Sequence, residues 1–577
     1  MRRALIDVLI ASTLAVPVAS QEGTPHDDVD SARAGAIVRG ALGERLDDWL
    51  TRSVPFGLHA AVLVEQDGEV ILRRGYGLAD RAAGRRMTWR TRFDVGSLAK
   101  QFTAAAVAEQ VQRGSLQWDS ELGQLWPDVP EDKAGITVHQ LLTHTAGLPY
   151  QLGAESPLTA PLQSTPGERH RYSNAGYALL ARVVETVSRQ PLAEVTGELF
   201  ARAGVGSIGL TGQPMDWADQ AHGYVDDFDF GTPEQIAYDA TMRGAGGYAC
   251  TVSELYQWVQ ALEAGGVLDA EIVSRMLTDH VEGPAGYGYG WFVLETSRGT
   301  PLYRHMGTYN GFNAELRRYR EEDRTIAFLS NSFVGGRALR DAIVNRLALQ
   351  LAGDAVPEPP RAMPWDAATA TGVLGVYESA EGVQLDVTMA DGELVVSGRD
   401  QAGWSALFGA TDSERGEQLV AHCAERTRQL LEALRRAAPD EVAKLTNPGW
   451  VRAHESLAAA WRRLQDECGG VEAWAVVGTA VRDAAAGNAV TVVETTGPRG
   501  HGRLEIVWTR NGALGSATGA DLPGRRLRWI GEGRYAAFDL FSGITVECEF
   551  KQEPGAKAPR LRLRSGDAQL ALVRQNP

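Results

Sequence analysis

Lysine is scarce in this chain of 577 residues, and almost all of its basic residues are arginine. The five lysines are Lys100, Lys133, Lys444, Lys551 and Lys557. Acidic residues outnumber basic ones by 73 to 57, so the formal net charge is -16 at pH 7. That excess of negative charge argues against electrostatic binding of nucleic acid or of anionic lipid. Because lysine is so rare, a motif that contains one arises less easily by accident.

Cysteine and long apolar runs are also scarce. Four cysteines are too few for a disulfide scaffold, and the sequence leaves open whether they pair or stay free. Those cysteines are Cys250, Cys423, Cys468 and Cys548. After the N-terminal region no run reaches the ~18 uninterrupted apolar residues of a membrane helix, so no membrane span is expected. The spacing of cysteine and histidine fits no zinc site, and neither a metal nor a cofactor is expected.

Residues 1–20 have the pattern of a secretory signal peptide. Arg2 and Arg3 precede a mostly apolar stretch from Ala4 to Val18, and small residues follow at a plausible cleavage point before Gln21. An ordinary N-terminal helix is the alternative, because an acidic residue, Asp7, interrupts the apolar stretch. We expect the mature protein to be secreted or periplasmic.

The hydrophobic patterning predicts an α+β domain at about 32–354, with an antiparallel sheet flanked by helices. Two β-rich runs surround the turn Asp67-Gly68, and an Ala-rich helix follows from Leu98 to Arg113. Strand-like runs return after Gly288, and a long helix at about 337–351 would pack on a sheet that unites both ends of the domain.

The second half of the chain has a different texture. Pro357-Glu358-Pro359-Pro360 predicts a linker at 355–361, because such a run cannot continue a helix or a central strand. We expect a β-rich region at 362–577, beginning with strands in Val373–Gly398. An α+β insertion, with charged helices followed by strands, is expected at about 413–519.

Ser97-Leu98-Ala99-Lys100 stands at the start of the Ala-rich helix. Positions i and i+3 share one face of a helix, so the lysine amine can reach the serine hydroxyl and help to remove its proton. Tyr172 and Asn174 precede another helix, and a tyrosine near an ammonium group can exchange protons near neutrality. His305-Met306-Gly307 ends a strand, where the glycine permits close backbone approach. A purely structural role is the alternative for each of these elements.

These motifs together resemble the serine β-lactamase-related hydrolases. That family includes class C β-lactamases, D-Ala-D-Ala carboxypeptidases, D-aminopeptidases and carboxylesterases. The similarity runs from about residue 46 to residue 351, with all elements in order. The matching elements are Phe93–Ala104, Ile136–Leu148, Arg171–Tyr177, Gly244–Gly247 and His305–Gly307.

The resemblance implies an all-helical lobe beside the sheet and a covalent mechanism. Ser97 would attack an ester or amide carbonyl, with Lys100 and Tyr172 as the coupled proton-transfer pair. Which member of that pair is charged at rest is left open. Asn174 would orient the lysine or bind the substrate.

The resemblance also implies an oxyanion hole formed by the backbone N–H groups of Ser97 and Thr308. His305 and Gly307 would lie beside the substrate. Class C β-lactamases and many carboxypeptidases carry K-T-G at this third element, and a neutral histidine supplies much less charge to a substrate carboxylate than that lysine. The departure favours small esters or amides without a free carboxylate at that position.

Three functional hypotheses follow. The leading one is an exported serine hydrolase that cleaves esters or small amides. A cell-wall D-amino-acid peptidase, carboxypeptidase or β-lactamase is the alternative within the enzyme class, and a noncatalytic peptide-binding receptor is the alternative outside it. Leu374–Glu378 and the following strands are similar to a lipocalin-like barrel found in some relatives, and the insertion resembles cystatin-like α+β domains. The role of this C-terminal region and the oligomeric state are left open.

Overall fold

The structure is a computed structural model that describes residues 34–575 apart from short segments. Those segments are 153–155, 214–216, 218, 226–227, 237, 240–241, 282–285, 333–335, 366–369, 371, 391, 409–413, 446–450, 484–487, 510–512, 520–524, 541, 552–558 and 567. The expected signal peptide at 1–20 lies outside the described residues.

The first half of the chain alternates short strands with helices. Its strands are β1 (Ile37–Val38), β2 (Ala60–Gln66), β3 (Glu69–Tyr76), β4 (Leu78–Asp80), β5 (Arg85–Arg86), β6 (Phe93–Asp94), β7 (Gly209–Leu210), β8 (Tyr224–Val225), β9 (Phe228–Asp229), β10 (Tyr248–Cys250), β11 (Phe292–Glu295), β12 (Pro301–Tyr309), β13 (Phe312–Tyr319) and β14 (Arg324–Ser330). Its helices are α1 (Gly40–Ser53), α2 (Lys100–Gln112), α3 (Leu122–Leu125), α4 (Glu131–Ala134), α5 (Val138–Leu142), α6 (Asn174–Ser188), α7 (Leu192–Arg202), α8 (Val252–Glu263), α9 (Ala270–Met276) and α10 (Gly336–Leu351).

A seven-stranded antiparallel sheet forms the centre of this half, in the order β1-β3-β2-β14-β13-β12-β11. Asp67 and Gly68 both have positive φ, as the two-residue hairpin turn between β2 and β3 requires. Strand β2 is buried on both faces. Ala61 and Leu63 pack toward the helical lobe, whereas Ala60, Val62 and Val64 pack toward α1 and α10. The expected fold class is therefore confirmed.

The helical lobe is built around α2. This helix is buried from Lys100 to Gln110, and its alanines allow α6 and α7 to pack closely against it. Phe102 contacts Phe200 and Trp258 edge to face, which fixes α2 against α7 and α8. The core of the lobe thus holds both ends of the Ser97–Lys100 segment.

The second half contains a closed barrel and an inserted α+β unit. Its strands are β15 (Gly375–Ser379), β16 (Gln384–Ala390), β17 (Glu393–Gly398), β18 (Ala473–Asp483), β19 (Asn488–Gly497), β20 (Gly500–Thr509), β21 (Ala513–Gly519), β22 (Arg525–Gly531), β23 (Arg534–Phe538), β24 (Thr545–Lys551), β25 (Arg560–Ser565) and β26 (Ala568–Arg574). Its helices are α11 (Gln401–Phe408), α12 (Glu414–Arg435), α13 (Pro439–Leu445) and α14 (Val451–Cys468).

Eight strands, β15–β17 and β22–β26, close the antiparallel barrel. The insertion between β17 and β22 comprises α11–α14 and a four-stranded sheet of β18–β21. Trp404 of α11 is buried in the barrel core, and Phe538 and Leu540 of the barrel join the core formed by α1 and α10. Cys250, Cys423, Cys468 and Cys548 are all buried and free. Among the helices that the structure describes, none has both the length and the apolar character needed to cross a bilayer.

Candidate active site

Ser97 lies in a 3₁₀ turn, Gly96–Ala99, that leads from β6 directly into α2. Lys100 is the first residue of α2 and is fully buried, whereas Ser97 is partly exposed. The two side chains meet, with Lys100 Nζ 3.0 Å from Ser97 Oγ. The sequence predicted this pairing on an α-helix. In a 3₁₀ turn, residues i and i+3 are eclipsed, which aligns the two side chains more directly.

Two further oxygen atoms hold the Lys100 amine. Lys100 Nζ donates to Asn174 Oδ1 at 2.8 Å and to the backbone carbonyl of Ala245 at 2.8 Å. Neither oxygen carries a proton to give back, so both act only as acceptors. A backbone carbonyl leaves no side-chain signature, and sequence reasoning did not find the contribution of Ala245. The Gly244–Gly247 segment that contains it did stand out as a motif.

Tyr172 lies beside the lysine at the mouth of the site. Lys100 Nζ is 4.9 Å from the centroid of its ring, and the side chain is half-buried. The next residue, Ser173, caps α6, because its hydroxyl accepts from the N–H of Gly176 and donates to the carbonyl of Pro149. This cap fixes the backbone on which Tyr172 and Asn174 stand.

His144 packs behind Tyr172, with ring centroids 4.3 Å apart. Its Nδ1 accepts from the N–H of Ser173 at 3.1 Å, and its backbone adopts a positive φ of 58°. Burial holds the pKa of His144 well below its ordinary value, and Lys100 lowers it further whenever the amine is protonated, so the ring is neutral. The ring contact with Tyr172 and the bond to the N–H of Ser173 together hold the tyrosine and the residue after it in place.

His305 is fully buried on β12, facing the site. Its Nδ1–H donates to the carbonyl of Met306 at 2.8 Å, and its Nε2 accepts from the hydroxyl of Tyr287 at 3.1 Å. Burial lowers the pKa of His305 to about 3, and Lys100 contributes to this shift when its amine is protonated. The third element therefore carries no positive charge near neutral pH. The sequence did not predict Tyr287 as part of this site.

Gly307 brings strand β12 against the turn that carries Ser97. A Cβ atom at Gly307 would lie 1.8 Å from the carbonyl oxygen of Val95 and 2.9 Å from the backbone nitrogen of Ser97. From the other side, a Cβ at Gly96 would lie 2.7 Å from the backbone nitrogen of Thr308. Both backbones can touch only because these two residues are glycine. The N–H groups of Ser97 and Thr308 are consequently close neighbours.

The structure thus brings together every residue that the sequence singled out for this site. The nucleophile candidate, the amine, the phenol and the third element all meet between the helical lobe and β12. Among the described residues, no group of three or more histidine, cysteine, aspartate or glutamate side chains is arranged to hold a metal ion.

Comparison with known proteins identifies the family. The Beta-lactamase family model matches residues 58–350. Penicillin-binding protein 4* of Bacillus subtilis (strain 168) is 24% identical over 313 residues, which cover 47% of this chain and 68% of that protein. Esterase EstB of Burkholderia gladioli is 35% identical over 174 residues, or 25% of this chain and 44% of the esterase.

Among solved structures, the D-amino acid amidase of Ochrobactrum anthropi SV3 matches with 20% identity and a TM-score of 0.48, over 54% of this chain and 99% of the amidase. The family model alone spans half of the chain, in the part that contains all the site residues. The chain therefore belongs to the beta-lactamase family and is a serine hydrolase.

Proposed function

We propose that this serine hydrolase cleaves esters or small amides through an acyl-enzyme intermediate on Ser97. The observation that carries the proposal is the position of the Lys100 amine. It lies 3.0 Å from Ser97 Oγ while two acceptor oxygens, on Asn174 and Ala245, hold it in place.

Counting protons explains why this arrangement suits a general base. A neutral amine has two N–H donors and one lone pair. With those two donors directed to Asn174 Oδ1 and Ala245 O, a lone pair that points to Ser97 Oγ, 3.0 Å away, can accept the proton of the Ser97 hydroxyl. The same two acceptors then stabilise the ammonium group that forms. Burial of Lys100 keeps competing water away from the transfer.

Acylation begins with attack by Ser97 on the substrate. Ser97 Oγ forms a bond to the substrate carbonyl carbon as its proton passes to Lys100, and a tetrahedral intermediate with a negative oxygen results. The N–H groups of Ser97 and Thr308 are the proposed donors to that oxygen. Tyr172 transfers a proton to the leaving alcohol or amine as its bond to carbon breaks. Water later attacks the acyl carbon and gives a proton to the deprotonated Tyr172. The bond from that carbon to Ser97 Oγ then breaks as Lys100 returns its proton to Ser97, so the acid product leaves and all three groups are restored.

The neutral third element supports substrates that lack a free carboxylate beside it. His305 has a pKa of about 3, so it offers no permanent cation at pH 7. The relative named as an esterase is 35% identical over 174 residues, against 24% over 313 residues for the penicillin-binding protein. A D-amino-acid peptidase or a β-lactamase is the second candidate function, supported by the penicillin-binding relative. The receptor hypothesis is dropped, because the chain is an enzyme.

Export and domain organisation belong to the same proposal. The pattern of residues 1–20 supports a secreted or periplasmic mature chain. A catalytic domain at 32–354, a linker at 355–361 and a C-terminal region at 362–577 are the proposed units.

The test compares the mature chain with Ser97→Ala and with Ser115→Ala, an exposed serine just beyond the other end of α2. The probes are p-nitrophenyl butyrate, D-alanyl p-nitroanilide, a chromogenic cephalosporin and a fluorophosphonate label. We expect ester turnover and labelling in the wild type and in Ser115→Ala, and neither in Ser97→Ala. Turnover of the anilide or the cephalosporin without ester turnover would instead support the second candidate. Full activity in Ser97→Ala would overturn the assignment of the nucleophile.

A further inference from the structure

A buried guanidinium lies behind the strand that carries the Thr308 N–H. Arg340 on α10 is only 3% exposed, and its Nη1 donates to the carbonyl oxygen of Gly307 at 3.3 Å and to Thr308 Oγ1 at 3.3 Å. We infer that Arg340 is a positioning residue that strengthens the oxyanion hole from behind. This inference rests on the proposed function, in which the Thr308 N–H donates to the tetrahedral intermediate.

The reason lies in the peptide bond between Gly307 and Thr308. The carbonyl of Gly307 and the N–H of Thr308 belong to one planar, conjugated amide, and they point in opposite directions. A positive donor on the carbonyl oxygen draws electron density away from the nitrogen, so the N–H becomes a better donor at its other end. Hydrogen bonds in such chains strengthen one another by roughly 10–30% per bond. The charge on Arg340 adds to this effect.

Arg340 also fixes the side chain of Thr308. The threonine hydroxyl accepts from Arg340 and donates to Asn313 Oδ1 at 3.1 Å, on the neighbouring strand β13. The amide of Asn313 in turn donates to the carbonyl of Ser332 at 3.1 Å. The hydroxyl is therefore held on the α10 side of the sheet, while Gly307 faces Ser97 on the other side. Rotation of the Gly307–Thr308 peptide would break these contacts.

The guanidinium is itself held in place by carboxylates. Arg340 pairs with Asp341 at 2.7 Å and with the fully buried Glu315 at 3.2 Å. Glu315 also pairs with Arg304 at 2.7 Å and with Arg317 at 2.6 Å. Three guanidinium groups thus share one buried carboxylate behind β12, and that region carries more positive than negative charge. His305 supplies no positive charge on the side of β12 that faces Ser97. The charge of Arg340 acts from the α10 side of the strand instead, through the Gly307–Thr308 peptide.

The chain offers a matched control for testing this role. Arg317 is buried like Arg340 and pairs with the same Glu315, but it contacts Glu315 and Tyr319 rather than the Gly307–Thr308 peptide. Arg340→Met and Arg317→Met therefore each remove one guanidinium and leave Glu315 with two. Arg340→Lys keeps the charge at a shorter reach. Each variant is assayed with p-nitrophenyl butyrate for kcat and KM. Benzeneboronic acid, which forms a negatively charged tetrahedral adduct with a nucleophilic serine, reports on the oxyanion hole directly.

Complete loss of one oxyanion donor costs about 10²–10³ in kcat, so weakening one should cost less. We expect Arg340→Met to lower kcat about tenfold and to weaken boronate binding by a similar factor, with KM changed less than twofold. Arg340→Lys should recover part of both losses, and Arg317→Met should stay within about twofold of wild type in both. A merely structural role would affect both arginine variants alike.

Equal effects of Arg340→Met and Arg317→Met would overturn the inference, as would a rise in KM with unchanged kcat and boronate binding. Should Arg340→Met fail to fold, Arg340→Lys decides the matter: wild-type kcat and boronate affinity in that variant would count against a positioning role that needs the long planar fork. A wild-type chain without ester turnover or boronate binding would overturn the proposed function itself, and this inference with it.

Discussion

Replacing Gly307 with alanine should disable the enzyme without unfolding it. The added Cβ would lie 1.8 Å from the carbonyl oxygen of Val95, whereas real Cβ atoms essentially never come within 3.0 Å of another heavy atom. Strand β12 must therefore retreat from the Ser97 turn by roughly 1.2 Å, since a close-packed interior offers no free space for the methyl group. A misplacement of about 1 Å in a catalytic site can cost 10²-fold in rate. We accordingly expect kcat/KM for p-nitrophenyl butyrate to fall about 10²-fold, mainly through kcat.

Gly197→Ala is the matched control for that variant. Gly197 lies within helix α7, and a Cβ there would meet nothing within 4 Å. This substitution should leave kcat/KM unchanged and raise the free energy of unfolding by about 0.5–1 kcal/mol, because alanine favours the helix. Urea unfolding of both variants separates loss of catalysis from loss of fold. If folded Gly307→Ala keeps kcat/KM within threefold of wild type, the contact between β12 and the Ser97 turn does not set the geometry of the oxyanion hole.

Three further predictions concern the groups around Lys100. Burial lowers the pKa of His305 to about 3 in the folded protein, so the contribution of its neutral ring to stability is complete above about pH 6.5 and is lost as the pH falls toward 3. Between pH 7.5 and pH 4.5 this loss amounts to about 3 kcal/mol in the free energy of unfolding. Urea unfolding at those two pH values should show a smaller difference for His305→Gln than for the wild type, and an unchanged difference would refute the buried neutral ring. Asn174→Asp places a carboxylate beside the Lys100 amine and should hold that amine in its charged form. Steady-state ester hydrolysis should then show a fall in kcat of about 10²-fold with a smaller change in KM. A wild-type kcat in this variant would contradict the role of a neutral amine. His144→Phe keeps a ring against Tyr172 but loses the hydrogen bond from the N–H of Ser173, so kcat should fall about tenfold in the same assay. Kinetics indistinguishable from wild type would show that this bond does not position Tyr172.

The elements that could be predicted from sequence are those whose signals are local. The Asp67-Gly68 hairpin has a turn that demands positive φ at both residues, and Gly114, which follows the C-cap of α2, also has a positive φ. The link between Ser97 and Lys100 follows from a spacing of three residues. Their functional roles remain predictions, since geometry alone does not measure catalysis.

The features that sequence reasoning missed are non-local. The acceptor on Ala245 is a backbone carbonyl, which any residue type provides, so the sequence gives no sign of it. Arg340 is more than 30 residues from the glycine that it contacts, and an arginine on a helix ordinarily indicates a solvated surface. This charge reaches the peptide through the pairing of β12 with β13 and the packing of α10 on β13 and β14. Which residues meet at such a contact depends on tertiary packing rather than on local secondary-structure propensity.

The position of the barrel bears on what selects the substrate. Alternate residues of a strand face opposite sides of a sheet, and Ser97 lies on the side of the helical lobe. Phe538 and Leu540 of the barrel join the opposite core, with α1 and α10, and the carbonyl of Leu540 accepts from Arg346 of α10. Six residues earlier, the same helix places Arg340 against the carbonyl of Gly307. The barrel therefore meets the first half of the chain through the helix that contacts the Gly307–Thr308 peptide, so a substitution at that junction would reach β12 through α10.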